Sequence, residues 1–191
     1  MENKSQLRLL ILVLFIVLVV GIRVITPLSP NFKFLANMTA IGAVAIFSGA
    51  YFKNALYRNV FPLAVLLLSD IGLTFTMGTD YGFYSGWYYT YIAFALIILT
   101  SHLMMKKINV QNVLTSSIVA VLIHWIVTDF GVWLGSGMYP QTLVGFWTCL
   151  VAAIPFELNF LYGTLIYSAI MFVAFEALKS KYNILSLERV K

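Results

Sequence analysis

Charge is scarce in this chain. Of its 191 residues only 10% are charged, while 61% are hydrophobic and 16% aromatic. Ordinary soluble domains carry about 25% charged residues. A chain this short cannot hide so much apolar surface in one water-soluble core, because too much of a small domain stays surface. The excess must face lipid, which excludes a soluble enzyme, a nucleic-acid reader and a disulfide-stapled secreted module. Cysteine occurs once, at Cys149, so no internal disulfide forms and the redox compartment stays undecided. Catalytic motifs are missing as well. The sequence holds no glycine loop ending in Gly-Lys-Ser/Thr, no HExxH, no Cys/His cluster at zinc spacing and no Gly-x-Ser-x-Gly elbow. Ser136, between Gly135 and Gly137, has no evident base and reads as part of a flexible turn. Neither an enzyme, a cofactor nor a metal is expected.

What the chain does have is a series of apolar runs. A crossing helix takes about 20 apolar residues, or about 25–30 with its connection, so the length allows six or seven. Six runs read as spans: 7–25, 37–52, 59–76, 85–105, 113–134 and 159–178. A seventh, 141–154, is short for a crossing and stops at Pro155, which suits a re-entrant or interfacial helix better. The first run follows Lys4 and Arg8 like a signal peptide, but it lacks a small-x-small cleavage site and runs on to Pro27. It is read as a retained anchor.

The net charge of +5 lies between these runs, so topology explains it better than nucleic acid does. Lys4 and Arg8, Lys53 and Arg58, Lys106 and Lys107, and the tail residues Lys179, Lys181, Arg189 and Lys191 all fall on one side if the N-terminus is inside. The expectation is an all-α membrane protein, one integral domain over residues 1–191. It would form a six-transmembrane bundle plus one partial helix, with both termini cytoplasmic, as a multi-pass protein of the inner (cytoplasmic) membrane. A full crossing by 141–154 would give seven spans and put the basic tail outside, against the rule.

Carboxylates gather on the other side. Asp70, Asp80, Asp129 and Glu157 fall in the outer half or the outer loops, with Arg23 and Lys33 as the basic residues there. An ionisable group inside a membrane is costly and implies a partner, a wet cavity or a function. Pairing with Arg23 is the plain explanation for Asp70 and Asp129. The functional one is a pocket. Trp125, Asp129 and Trp133 follow at i, i+4, i+8 and share a helix face, where two indoles around a carboxylate can hold a cation or a polar ring. Asn37, Ser69, Asn159 and Tyr139 lie at the same level, and Tyr84, Trp87, Tyr88 and Tyr91 form either a pocket wall or an interfacial belt. His124 lies deeper, about 140° from Asp129 around the helix, and reads as a packing residue. The second run is rich in small residues; Gly42, Ala45 and Gly49 on it serve either internal packing or a docking face for another membrane protein.

The run Asn37–Phe52, with Pro62, Leu68-Ser69-Asp70, Ser116-Ser117, Asp129-Phe130-Gly131-Val132-Trp133, Met138-Tyr139-Pro140, Gly145, Cys149, Ala152-Ala153-Ile154-Pro155-Phe156 and Asn159, resembles an uncharacterised family of small bacterial membrane proteins. That family implies no activity. The layout more distantly resembles the S components of energy-coupling factor (ECF) vitamin transporters, such as the biotin and thiamine carriers. Those are six-span chains with cytoplasmic termini, and in the biotin-type carriers a short segment before a Pro-Phe pair leads into the last helix, much as Ala153-Ile154-Pro155-Phe156 does here. Thr164 stands where those carriers usually have an acid, and Asp129 where asparagine is expected.

That resemblance implies a substrate-binding subunit of a vitamin-like uptake system, working with a transmembrane coupling protein and two ATPases. A polar or cationic ligand would sit in an outward-facing cavity among Asp129, Trp125, Trp133, Asp70, Asn37 and Tyr139, with the partner docking at Gly42, Ala45 and Gly49. Two alternatives stay open. One is a structural or assembly membrane protein whose acids pair internally. The other is an intramembrane enzyme using Asp70 and Asp129 as coupled carboxylates, which must then approach within about 3–5 Å.

Overall fold

A computed structural model describes residues 17–28 and 38–181, with side chains through 177. Every regular element among them is a helix. In chain order these are α1 (Val17–Leu28), α2 (Ile41–Tyr51), α3 (Ala55–Met77), the single turn α4 (Thr79–Gly82), α5 (Trp87–Met104), α6 (Val110–Gly135) and α7 (Leu143–Lys181). Four helical stretches are long and apolar enough to cross a membrane: Ala55–Met77, Thr79–Met104, Val110–Gly135 and Leu143–Ala177. Helices long and apolar enough to cross a membrane thus cover the runs expected over 59–76, 85–105 and 113–134. Their starts are set by side-chain caps. Asn54 accepts from the backbone N–H of Leu56 at 2.8 Å, and Asn109 from that of Asn112 at 2.7 Å, each satisfying a first-turn donor that the helix itself cannot.

Helix α2 departs from the sixteen-residue span expected over 37–52. It has 11 residues, about 16 Å of rise, roughly half of the hydrocarbon thickness. It packs against α3, α5, α6 and α7, and Ile41–Ile46, Ser48, Gly49 and Tyr51 are all buried. A helix apolar all round belongs in the centre of a bundle. Its small residues let neighbours close in. A Cβ at Gly49 would stand 2.9 Å from the backbone N of His102 and 3.1 Å from the carbonyl of Ile98, so α5 lies directly against it.

Pro62 and Pro155 sit inside two of the long helices. Pro62 in α3 cannot donate to the carbonyl of Arg58 four residues back, and the buried hydroxyl of Ser48 on α2 donates to that carbonyl instead, at 2.6 Å. Pro155 lies inside α7, which corrects the expectation of a separate re-entrant or interfacial helix over 141–154. That run and 159–178 are parts of one helix of 39 residues, so they cannot be two crossings. The physical reason is the medium. Breaking the helix at Pro155 would leave several backbone groups without partners in an apolar surround, whereas continuing through it forfeits one hydrogen bond.

Candidate functional site

Asp70, 3% exposed, is carried inward by α3 and is fully engaged. Its Oδ1 accepts from Arg23 of α1 at 2.5 Å and its Oδ2 from the hydroxyl of Tyr91 on α5 at 2.8 Å. Arg23 also donates to the hydroxyl of Ser69, which passes its own proton to the carbonyl of Leu66 at 2.7 Å. One ion pair thus ties α1, α3 and α5 together. The turn α4 folds back over this point: a Cβ on Gly82 would collide with the Asp70 carbonyl and the Thr74 hydroxyl, so only glycine permits the approach.

A second polar pair lies across the bundle. The Nδ1 of His124 on α6 stands 2.9 and 3.1 Å from the two carboxylate oxygens of Glu157 on α7. With acceptors on both sides of it, Nδ1 carries the proton and donates. The imidazole stacks on Phe160 at 4.4 Å between ring centroids and meets the edge of Phe94 at 5.8 Å, which fixes its plane.

Between the two pairs lies a cavity of about 370 Å³. Arg23, Asp70, His124 and Glu157 all border it, with the aromatic residues Tyr81, Tyr84, Trp87, Phe94, Phe156 and Phe160. Helices α1, α3, α4, α5, α6 and α7 each contribute to the wall. The hydroxyls of Tyr84 and Thr90 bond to each other on one side of it. Size and composition are those of a small-ligand site, mostly apolar with a few placed polar groups.

Of the residues expected to line a pocket, Asp70 does so. Asn37 lies outside the described residues. Trp125, Asp129 and Trp133 do share one face of α6, but that face meets α7 and not the cavity. The indole N–H of Trp125 donates to the carbonyl of Leu150 at 3.0 Å, and that of Trp133 to the carbonyl of Pro140 at 2.8 Å. Asp129 is buried between them beside Cys149, whose sulfur is 3.6 Å from the Asp129 carbonyl. The three residues form a helix seam, and helical spacing alone cannot tell such a seam from a pocket wall. Tyr139, half-buried in the turn before α7, does not border the cavity either. Asp70 and Asp129 share no hydrogen-bond partner: one is held by Arg23 and Tyr91, the other lies against Cys149.

Gly42, Ala45 and Gly49 are buried inside the bundle. A Cβ at Gly42 would strike the Thr164 hydroxyl and the Phe160 ring of α7. These residues present no outward face for docking and are occupied by internal packing.

Sequence reading missed Arg23, His124 and Glu157 as cavity residues. With the last run starting at 159, Glu157 falls in the outer half or an outer loop; in the continuous helix α7 it borders the cavity instead. A carboxylate two residues beyond a proline inside a long apolar run is the signal that was there to use.

The model of a family of unknown function, DUF6580, matches residues 3–186. No curated protein and no solved structure matches the chain.

Proposed function

The chain belongs to the family of unknown function DUF6580, and on that premise we propose, from its own geometry, a substrate-binding membrane subunit of a small-molecule uptake system. One observation carries this reading: a cavity of about 370 Å³ inside an apolar helical bundle, bordered by two buried carboxylates, an arginine and a histidine. Gathering four ionisable groups in one place, two of them buried carboxylates, is costly in a membrane protein, and such groups mark ligand or ion paths. The rings of Trp87, Tyr84 and Phe160 supply surface for a planar or methylated ligand, and the polar pairs fix its orientation. The ligand class is a vitamin-sized polar or cationic molecule.

The remainder of the reading follows from charge and length. Six apolar segments (α1, α2, α3, α5, α6 and α7) with both termini cytoplasmic put every basic cluster on the inner side, in an inner (cytoplasmic) membrane. The sequence holds no ATP-binding loop, so energised transport needs partners. By analogy of layout with ECF S components, these are a transmembrane coupling protein and ATPase subunits, docking on a surface other than the small-residue face of α2. Mass spectrometry of protein purified gently from its own membrane tests the reading. A retained small molecule, lost on Asp70→Asn or His124→Gln but kept on Trp133→Phe, supports it. Protein that retains nothing and that no small solute stabilises removes it.

A second reading has its own observation. The cavity's ionisable groups already pair within the chain, Arg23 with Asp70 and His124 with Glu157, as they would in a structural or assembly protein with no ligand. That reading expects co-purification with a large membrane complex and an Arg23→Met/Asp70→Leu double variant that keeps its function.

A further inference from the structure

The two polar pairs at the cavity differ in how completely they are used. Both oxygens of Asp70 have their own donors, Arg23 and Tyr91. Both oxygens of Glu157 face a single donor, Nδ1 of His124, and an imidazole N–H saturates at most one of them. A carboxylate offers about four acceptor sites, so Glu157 keeps several in hand while being only 8% exposed. Among the described residues no lysine or arginine pairs with it. Arg23 is, among the described residues, the one such residue bordering the cavity, and it is committed to Asp70 and Ser69. With Nδ1 turned to the carboxylate, a neutral imidazole offers its other ring nitrogen, Nε2, as an acceptor, and no described residue bonds to that nitrogen. This end of the cavity is therefore rich in acceptors and poor in donors. Phe94 and Phe160 pack against the imidazole, and Phe156, Trp87 and Tyr84 also line the cavity.

Resting on the uptake-subunit reading above, we propose that the Glu157–His124 end of the cavity binds the positively charged nitrogen of a small organic cation. Glu157 supplies the countercharge. The Nε2 of His124 accepts a second hydrogen bond where the cation carries an N–H, and the ring faces contribute cation–π attraction. Glu157 has a second role as the group that holds the imidazole with Nε2 toward the ligand. The cation specificity thus belongs to Glu157, which borders the cavity, and not to Asp129, which lies in the α6–α7 seam and does not border it.

The test uses the full chain in lipid nanodiscs and reads thermal stabilisation across matched probes. These are benzylammonium and choline, their neutral isosteres benzyl alcohol and 3,3-dimethylbutanol, and the anion benzoate. Cations that stabilise where their isosteres do not, an effect weakened about tenfold or more in apparent affinity by Glu157→Gln and kept in Asp129→Asn, support the proposal. Equal stabilisation by the isosteres, preference for benzoate, or a cation effect that survives Glu157→Gln overturns it while leaving a ligand-binding cavity in place. No response to any probe also overturns it, and the uptake reading then stands or falls on the molecules retained at purification. If Glu157→Gln does not fold, the comparison of cations with isosteres in the unaltered protein decides, with Glu157→Asp as the charge-retaining variant.

Discussion

The hydroxyl of Ser48 donates to the carbonyl of Arg58 at 2.6 Å, the carbonyl that Pro62 leaves without its helical donor. Two helices are joined by repairing a fault in one of them. Ser48 is fully buried, and a buried hydroxyl without a partner is costly, so the bond matters to both helices. Ser48→Ala should destabilise the fold by about 0.6–2 kcal/mol, the range of hydrogen bonds between membrane helices. In a Pro62→Ala background, where residue 62 again has an N–H, the same change should cost clearly less. Equilibrium unfolding of the four proteins of this cycle checks it, and additive effects would mean that Ser48 is not the stand-in donor.

The Arg23–Asp70 pair makes a different prediction. Asp70 is nearly inaccessible, and Arg23 ties it to α1 while Tyr91 ties it to α5. Removing one partner leaves a buried charge uncompensated, at about 3–5 kcal/mol. Arg23→Met alone should therefore unfold the protein at a markedly lower temperature. Removing both charges with Arg23→Met/Asp70→Leu should recover much of the loss, because desolvation of the pair offsets most of its attraction. Thermal denaturation of the two variants separates these outcomes; a double variant as unstable as the single one would show that the pair holds the fold by more than its charges.

Most of the helical scaffold was legible in the sequence and little of the cavity was. Spans α3, α5 and α6 announce themselves by long apolar runs, because lipid demands one solution to backbone hydrogen bonding. The length of α2 was not legible, since an apolar segment looks the same facing lipid or facing other helices. The fate of Pro155 was not legible either, because proline ends helices in water yet is tolerated between packed helices. Asp70 was found through its charge in an apolar run. Trp125, Asp129 and Trp133 were rightly placed on one face, but which neighbour that face meets depends on tertiary packing. That Glu157 meets His124 was not legible, because it depends on α7 continuing through Pro155.

The close approach of α2 to its neighbours predicts a graded cost for adding one methyl group. At Gly49 the obstruction is backbone of α5, the His102 nitrogen and the Ile98 carbonyl, and backbone cannot swing aside. At Gly42 it is side chains of α7, Thr164 and Phe160. Both alanine variants should lose about 1–3 kcal/mol, as overpacked cores do. Only Gly42→Ala should regain stability from a second change, Thr164→Ala, which removes the obstructing hydroxyl. Unfolding of the single and double variants in detergent measures this. A Gly49→Ala protein as stable as the parent would mean that α2 and α5 are not in backbone contact.

The continuity of α7 through Pro155 sets the topology and can be measured as a length. Trp147 and Ile166 are both exposed on α7, one on each side of the proline. Nineteen residues of unbroken helix separate them by about 28 Å. A kink at Pro155 would shorten this by a few ångströms, whereas a re-entrant segment folding back before the final span would bring the two sites close together. With Cys149 replaced by serine, spin labels at positions 147 and 166 in nanodiscs should give one distance distribution centred near the helical value. The same helix sets the orientation of Glu157, because only an unbroken turn after Pro155 holds that carboxylate against His124. A short label distance would therefore remove the seam and the acceptor-rich end of the cavity together.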